Sequence, residues 1–165
     1  MISRGATLTL SGTSNKNLID NRVLENSGDV IMSGGSILSG SGALIENSGT
    51  FDIKGDADIH YNGNPSKPRF ENTATGVLKK STAGTELTDI SISLDNDATV
   101  EVSSGTLTMT GGSDPGTSES SSGDFIAGGG ATLRFGGPIF DPHRLSGVGS
   151  SVTGSGTVSF PSSTS

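Results

Sequence analysis

The stretch Ile45-Glu-Asn-Ser-Gly-Thr-Phe-Asp-Ile53 recurs in similar form 21 residues earlier as Leu24-Glu-Asn-Ser-Gly-Asp-Val-Ile-Met32, and this repetition predicts the fold. Each copy has an apolar residue, one variable residue, Asn or Gly, a few small residues, and then alternating apolar residues. Such self-similarity is the signature of a repeat architecture. Five further copies, the first of which lacks its first half, are Gly5-Ala-Thr-Leu-Thr-Leu10, Phe70-Glu-Asn-Thr-Ala-Thr-Gly-Val-Leu78, Leu94-Asp-Asn-Asp-Ala-Thr-Val-Glu-Val102, Ile126-Ala-Gly-Gly-Gly-Ala-Thr-Leu-Arg-Phe135 and Val152-Thr-Gly-Ser-Gly-Thr-Val-Ser-Phe160.

The spacing of the copies predicts one solenoid coil per copy. Their Asn or Gly markers are 21, 25, 24, 32 and 26 residues apart. A unit of this length cannot bury its apolar side alone and must stack on its neighbours. The sequence therefore predicts an all-β chain, a parallel β-helix (β-solenoid) of about seven coils, forming a single domain over residues 1–165.

Period-two alternation within each copy places apolar residues in three inward columns. Thr9, Asp52, Glu101, Arg134 and Ser159 lie between them and are predicted to face water, with Ile31 as an exception. Lys80 interrupts the third column. The predicted columns are Leu24, Ile45, Phe70, Leu94, Ile126, Val152; Leu8, Val30, Phe51, Leu78, Val100, Leu133, Val158; and Leu10, Met32, Ile53, Val102, Phe135, Phe160.

The four asparagine markers, Asn26, Asn47, Asn72 and Asn96, are predicted to be structural. Asparagine tolerates the left-handed backbone of a bend, and its amide can bond to the same residue of the next coil. A ligand-binding comb is the competing interpretation, but later copies replace Asn with Gly. We therefore expect the row to support the stacking.

Composition excludes several classes of function. Only 30% of the 165 residues are hydrophobic and 4% aromatic, which favours a thin core, and the formal charge of −7 disfavours nucleic acid and anionic membranes. There is no Cys, and no apolar run is long enough for a membrane-spanning helix. Met1–Gly5 lacks the apolar core of a signal peptide, so the chain is interpreted as a mature or excised fragment.

With these copies in view, the chain resembles the adhesin-like and autotransporter-like repeats of large bacterial extracellular proteins, among which filamentous haemagglutinin-like proteins are the nearest group. Glu46-Asn-Ser-Gly-Thr-Phe-Asp-Ile53 and Ser104-Gly-Thr-Leu-Thr-Met-Thr-Gly-Gly112 carry the resemblance. The resemblance implies a right-handed parallel β-helix, export to the cell surface or the extracellular space, and membership in a longer polypeptide. Its motifs are specific for architecture and not for task.

Asp56, Asp58 and His60 alternate on one predicted strand and, with Asp52, are the candidate ligands for a divalent cation. A solvated strand face is the competing interpretation, because the spacing matches no calcium loop or zinc site. We therefore predict no metal and no cofactor. A catalytic carboxylate pair on adjacent coils would have to combine Asp52 or Asp56 with Asp29 or Lys79.

Two segments depart from the repeat. Residues 111–124, rich in Gly and Ser, account for the 32-residue spacing and are predicted to be an inserted flexible loop, the best place for an unrecognised contact. His143 lies among prolines and bulky residues at 138–145. For it we predict packing over the side of the solenoid rather than membership of a Ser/His/Asp triad.

These observations lead to the hypothesis of a non-catalytic structural or adhesive segment. The alternative is a carbohydrate-binding or polysaccharide-degrading module, with host-surface or extracellular polysaccharide as its partner. That alternative needs exposed aromatic rings, but the chain has one Tyr, Tyr61, and no Trp. End-to-end self-association is compatible with the first hypothesis, since end coils present unpaired strand edges.

Overall fold

The computed structural model describes residues 1–73, 75–82, 85–113, 120–137, 142–146 and 149–161. Within these residues every regular element is a β-strand, and there is no helix that could cross a membrane. Each strand is three or four residues long. The short strands follow from the sequence, in which Gly, Ser and Asn interrupt every apolar alternation.

Eighteen strands of the described residues form three parallel sheets. Sheet 1 contains β1 (Thr7–Leu10), β4 (Asp29–Met32), β7 (Thr50–Ile53), β10 (Val77–Lys80), β13 (Thr99–Val102), β15 (Asp124–Ala127) and β17 (Ser151–Gly154). Sheet 2 contains β2 (Lys16–Leu18), β5 (Ile37–Ser39), β8 (Ile59–Tyr61), β11 (Leu87–Ile90), β14 (Thr106–Met109), β16 (Thr132–Phe135) and β18 (Thr157–Ser159). Sheet 3 contains β3 (Val23–Asn26), β6 (Leu44–Asn47), β9 (Arg69–Asn72) and β12 (Ser93–Asn96).

In the first four turns the chain passes from sheet 1 to sheet 2 to sheet 3 and then returns to sheet 1 one level higher; after β14 and β16 the next strand belongs to sheet 1. Each strand thus pairs in parallel with the equivalent strand of the previous turn. Neighbouring strands in such a ladder are about 4.8 Å apart. The prediction of an all-β parallel solenoid is confirmed, with about six turns rather than seven coils.

The apolar columns are confirmed for the first five levels. Leu24, Ile45, Phe70 and Leu94 lie in register in sheet 3. Two columns of sheet 1 are also in register as predicted, Leu8, Val30, Phe51, Leu78 and Val100, and Leu10, Met32, Ile53, Lys80 and Val102. Phe51 and Phe70 join the sheets across the core through an edge-to-face contact, with ring centroids 5.3 Å apart.

The columns predicted for the last two copies are wrong. Phe125, not Ile126, faces the core, because β15 belongs to sheet 1, where Ile126 pairs with the outward Glu101. Val152 continues the Val100–Phe125 column for the same reason. The remaining four residues, Leu133, Phe135, Val158 and Phe160, follow the residues of sheet 2 instead.

Glycine allows consecutive turns to approach closely where sheet 3 turns into sheet 1. A Cβ atom on Gly49 would lie 2.1 Å from the carbonyl oxygen of Gly28, and one on Gly123 would lie 2.2 Å from that of Ala98. No side chain fits at such a distance. The Ser-Gly pairs of the repeat are thus required by the closeness of stacked corners.

Lys80 is a buried cation in the core. It occupies the column between Ile53 and Val102, none of its surface is exposed, and its Nζ donates to the carbonyl oxygen of Gly55. Burial lowers the pKa of Lys80 below its usual value of 10.5, an effect that the charges of Glu86 and three aspartates oppose. The folded chain therefore pays a desolvation cost for this ammonium group.

Replacing Lys80 with methionine is expected to stabilise the protein at neutral pH by about 1–4 kcal/mol, as when other buried ionic groups are replaced by apolar ones. Between the lowered pKa and 10.5 the unfolded chain binds more protons than the folded chain. Wild-type stability relative to Lys80→Met should therefore rise as the pH increases through this interval. Chemical unfolding across a pH series measures both effects.

Lys79→Met is the matched control, because Lys79 faces outward between Asp52 and Glu101 in register. Its loss should destabilise the chain by about 0.2–1 kcal/mol, the range for cross-strand charge pairs. A Lys80→Met variant less stable than wild type at pH 7 would contradict the desolvation argument.

Candidate functional site

The asparagine row forms a continuous ladder inside the solenoid. The Nδ2 atom of each residue donates to the Oδ1 atom of the next, at 2.7 Å from Asn26 to Asn47, 2.8 Å from Asn47 to Asn72 and 2.7 Å from Asn72 to Asn96. All four side chains are buried. Their second amide hydrogens reach carbonyl oxygens of the adjoining corners, including those of Thr50 and Asp124. The amides are thus used in stacking.

The left-handed backbone predicted for these asparagines is wrong. Each one ends a strand of sheet 3, and positive φ angles occur instead at residues such as Asp20 and Ser41. The side-chain oxygen makes the bend, because Oδ1 of Asn26 accepts the N–H of Gly28 and Oδ1 of Asn96 accepts that of Ala98. A hydrogen bond from the backbone N–H of the second following residue to the side-chain oxygen defines the Asx turn, which asparagine favours.

Asn47→Ala is expected to cost at least about 2 kcal/mol of unfolding free energy, because it leaves buried amide groups of Asn26 and Asn72 without their partner. Asn17→Ala is the control, since Asn17 is exposed on the outer face of β2 and should change stability by less than about 0.5 kcal/mol. Equal denaturation midpoints for the two variants would show that the ladder adds nothing.

The predicted cation ligands Asp58 and His60 lie on the outer face of sheet 2 beside a residue that the sequence did not reveal. His60 Nε2 is 3.2 Å from Asp58 Oδ2, and Asp58 Oδ1 accepts the N–H of Asp89 at 2.7 Å. Asp89, on the next turn, accepts the Thr110 hydroxyl at 2.8 Å. We call Asp58, His60 and Asp89 the sheet 2 polar cluster.

The other predicted acidic residues lie elsewhere. Asp56 is exposed in the turn before β8, whereas Asp52 is on sheet 1, where it accepts the Ser81 hydroxyl and lies in register with Lys79. Asp29 pairs with Thr50 and is not in register with Asp52. Among the described residues, no group of three or more His, Asp or Glu side chains is close enough to hold a metal ion.

Asp89 is the titratable centre of the sheet 2 polar cluster. Burial raises the pKa of Asp89 above its usual value of 3.8, the hydrogen bond from Thr110 opposes this, and the neighbouring charge of Asp58 adds to it. Two carboxylates on adjacent strands of a parallel sheet disfavour each other's ionised form. Asp89 therefore holds its proton to a higher pH than an ordinary aspartate.

Asp89→Asn is expected to stabilise the protein at neutral pH, because it removes a carboxylate whose ionised form is disfavoured in the folded state. The advantage should shrink as the pH falls through the raised pKa and then below 3.8, where wild-type Asp89 becomes protonated in both states. Thermal unfolding at several pH values checks this. Asp29→Asn, the same substitution at an exposed position, is the control for the change in net charge.

A row of four carboxylates runs along the outside of sheet 3. Glu25, Glu46, Glu71 and Asp95 lie in register on consecutive strands, and Arg69 forms an ion pair with Glu71. Like charges directly opposite each other destabilise a sheet. This acidic row gives one side of the solenoid a concentrated negative charge.

A shallow groove follows the corner between sheets 3 and 1. One stretch of about 480 Å³ is lined by the corner residues Ser27–Gly28, Ser48–Gly49 and Thr50 together with Arg4 and Asp29. A second stretch of about 360 Å³ continues past Asp97 and Asp124. No aromatic ring is present among these described lining residues. The groove arises because corner residues are small, and it is open along its length.

The two irregular segments are described only in part. Of the predicted loop 111–124, residues 114–119 lie outside the described residues, and Asp124 begins β15. His143 Nε2 lies 2.8 Å from the carbonyl oxygen of Met109 and 3.0 Å from that of Gly136, and its ring meets Phe135 edge to face. His143 therefore packs against sheet 2, as predicted.

No protein-family model, no curated protein and no solved structure matches this chain.

Proposed function

We propose that this chain is a structural or adhesive β-solenoid segment of a bacterial secreted or cell-surface protein, with no catalytic activity of its own. One observation carries the proposal: in the described residues, most hydrogen-bonded polar side chains join one turn to the next. The buried ladder of Asn26, Asn47, Asn72 and Asn96 is the clearest case.

Exposed side chains follow the same rule as the buried ones. The Ser27 and Ser48 hydroxyls are 3.0 Å apart across two turns, and the Ser122 hydroxyl donates to Asp97 on the turn before. Polar side chains that hydrogen-bond between consecutive turns support the role of a stiff rod, whereas catalysis requires polar groups that converge on a substrate. The resemblance to adhesin-like and autotransporter-like repeats supports the location and the bacterial origin.

Immunolabelling tests this location. Antibodies raised against the folded chain should label intact cells of the source organism, or its culture medium, as strongly as permeabilised cells. An antibody to a cytoplasmic protein of the same organism is the control and should label permeabilised cells only. Signal confined to permeabilised cells would refute the proposed location.

The corner groove favours a second candidate function, binding of a linear polysaccharide along the solenoid. Its stretches run parallel to the stacking direction and carry hydroxyl and carboxylate groups such as Thr50 and Asp124. Against it stands the lack of aromatic rings, on which sugars usually stack. We expect the structural role to prevail.

A glycan array with matched variants decides between the two candidates. No glycan should be retained above background by the wild-type chain. If one is retained, Thr50→Arg places a bulky side chain on the groove, whereas Thr132→Arg makes the same change on the outer face of sheet 2. Retention lost in the first variant and kept in the second would replace our proposal with carbohydrate binding.

A further inference from the structure

The two ends of the solenoid present core residues that the interior turns bury. At the last turn, Phe160 is 64% exposed, Val152 37% and Leu145 36%, whereas the core residues one turn below them are almost fully buried. At the first turn, Ile2, Leu8, Leu10, Leu18 and Leu24 are only partly buried although they pack on the core. Both ends therefore carry an apolar face.

Two columns that run the length of the solenoid connect residues of the two faces. In sheet 1 the column that begins with Leu8 ends with Val152. In sheet 2 the column that begins with Lys16 and passes through Ile37 and Met109 ends at Phe160, whose ring lies flat on Phe135 at 4.7 Å. A copy stacked in the same register would place Leu8 on Val152 and Lys16 on Phe160.

The third side matches as well. Ile2 bridges to Asn26 at the first turn, and Leu145 bridges to Ser121 at the last. Ser121 adjoins the Asn96 end of the asparagine ladder, since its hydroxyl accepts the backbone N–H of Asn96. An apolar residue therefore lies beyond these polar residues at both faces, and the same stacking would place Ile2 on Leu145.

Backbone groups at the two faces are complementary. Asp29 N–H donates to Ala6 and Ser33 N–H to Leu10, so alternation along β1 directs the N–H groups of Thr7 and Thr9 away from β4, to the free edge. Ser151 N–H donates to Gly123, so the carbonyl group of Val152 points to the free edge of β17. In the continued register, Thr9 N–H meets Val152 C=O.

The distribution of charge favours the ends over the sides as a contact. The chain carries a formal charge of −7, and the acidic row and most other carboxylates lie on its sides. The first-turn face instead carries Arg4, Lys16 and Arg22 with Asp20. Side-by-side packing would bring like charges together. At the ends, the Nζ of Lys16 already donates to the carbonyl oxygens of Ser14 and Gly34, and the apolar stem of this side chain can cover the Phe160 ring.

From these features we infer that the chain binds a second copy of itself head to tail, with the β17 and β18 edges of one copy pairing in parallel with the β1 and β2 edges of the next. The interface continues the stacking that already joins consecutive turns. It is heterologous, so that each copy keeps one free face and growth proceeds to fibres. The inference concerns the 165-residue chain itself, whose two end faces carry it, and does not require the proposed location or role.

Sedimentation velocity of the full 165-residue chain over a concentration series tests this inference. Wild type should sediment as species larger than one chain of 16.5 kDa, with a mass that grows with concentration and does not stop at two copies. A single 16.5 kDa species at every concentration would overturn the proposal.

Two blocking variants identify the faces. Thr9→Pro blocks the first-turn face, because it removes an N–H at the free edge of β1 that makes no hydrogen bond to another strand of its own chain. Phe160→Lys blocks the last-turn face, because it places a positive charge against Lys16 of the next copy. Each variant alone should be monomeric. An equimolar mixture should form dimers only, because one open first-turn face and one open last-turn face remain.

Matched substitutions separate blocking from misfolding. Thr9→Ala keeps the N–H, and Leu87→Lys places the same charge on an exposed apolar residue of an interior turn, so both should assemble like wild type. If the thermal unfolding midpoint of Thr9→Pro falls, Asn17→Pro replaces it as the block on the first-turn face. If that of Phe160→Lys falls, Leu145→Lys replaces it as the block on the last-turn face. Assembly by a blocked variant alone, or an equimolar mixture that stays monomeric, would refute the head-to-tail interface.

Discussion

The fold depends on parallel pairing of each strand with the same strand of the next turn in an unshifted register. In a parallel ladder, a slip of one residue would turn every side chain to the opposite face. Three features fix the register here: apolar residues stack on apolar residues, glycines stack at the corners, and the asparagine ladder closes only when Asn26, Asn47, Asn72 and Asn96 are level. Because the core is thin, these contacts replace the bulk packing of a globular domain.

The same constraint explains why polar residues lie inside so slender a core. A buried amide is costly unless both its hydrogens and its oxygen are bonded, and the ladder satisfies each Asn through its neighbours above and below. Lys80 has no such repeating partner. It occupies a single level between Ile53 and Val102, with the Gly55 carbonyl as its acceptor, and burial consequently lowers its pKa. Repetition thus makes buried polarity tolerable, and an interruption of the repeat makes it costly.

The sequence was sufficient to predict the solenoid and its first five levels, because the Asn marker fixes the register of sheet 3. It failed at Ile126, where the marker is lost. Phe125, Ile126 and Ala127 are all apolar, so alternation alone could not show which of them faces inward. The Asp58–Asp89 contact could not be predicted either, since those residues are 31 positions apart, more than in most turns, and no repeated motif links them. His143 was predicted correctly because its prolines and bulky neighbours indicate packing.

A stack of translated turns cannot satisfy its own ends. In every interior strand, alternate residues direct their N–H and C=O groups to the turn below, and the residues between them direct theirs to the turn above. The strands of the first and last turns therefore each keep one set of N–H and C=O groups without a partner strand. A closed barrel has no free strand edge because its sheet curves back on itself, whereas the sheets of a solenoid stay open at the first and last turns. Whatever covers β1 and β17 must therefore offer a strand edge of the same register and an apolar face of the same outline. A turn of the same kind meets both conditions, and in this chain the column that begins with Leu8 and ends with Val152 is apolar on both faces.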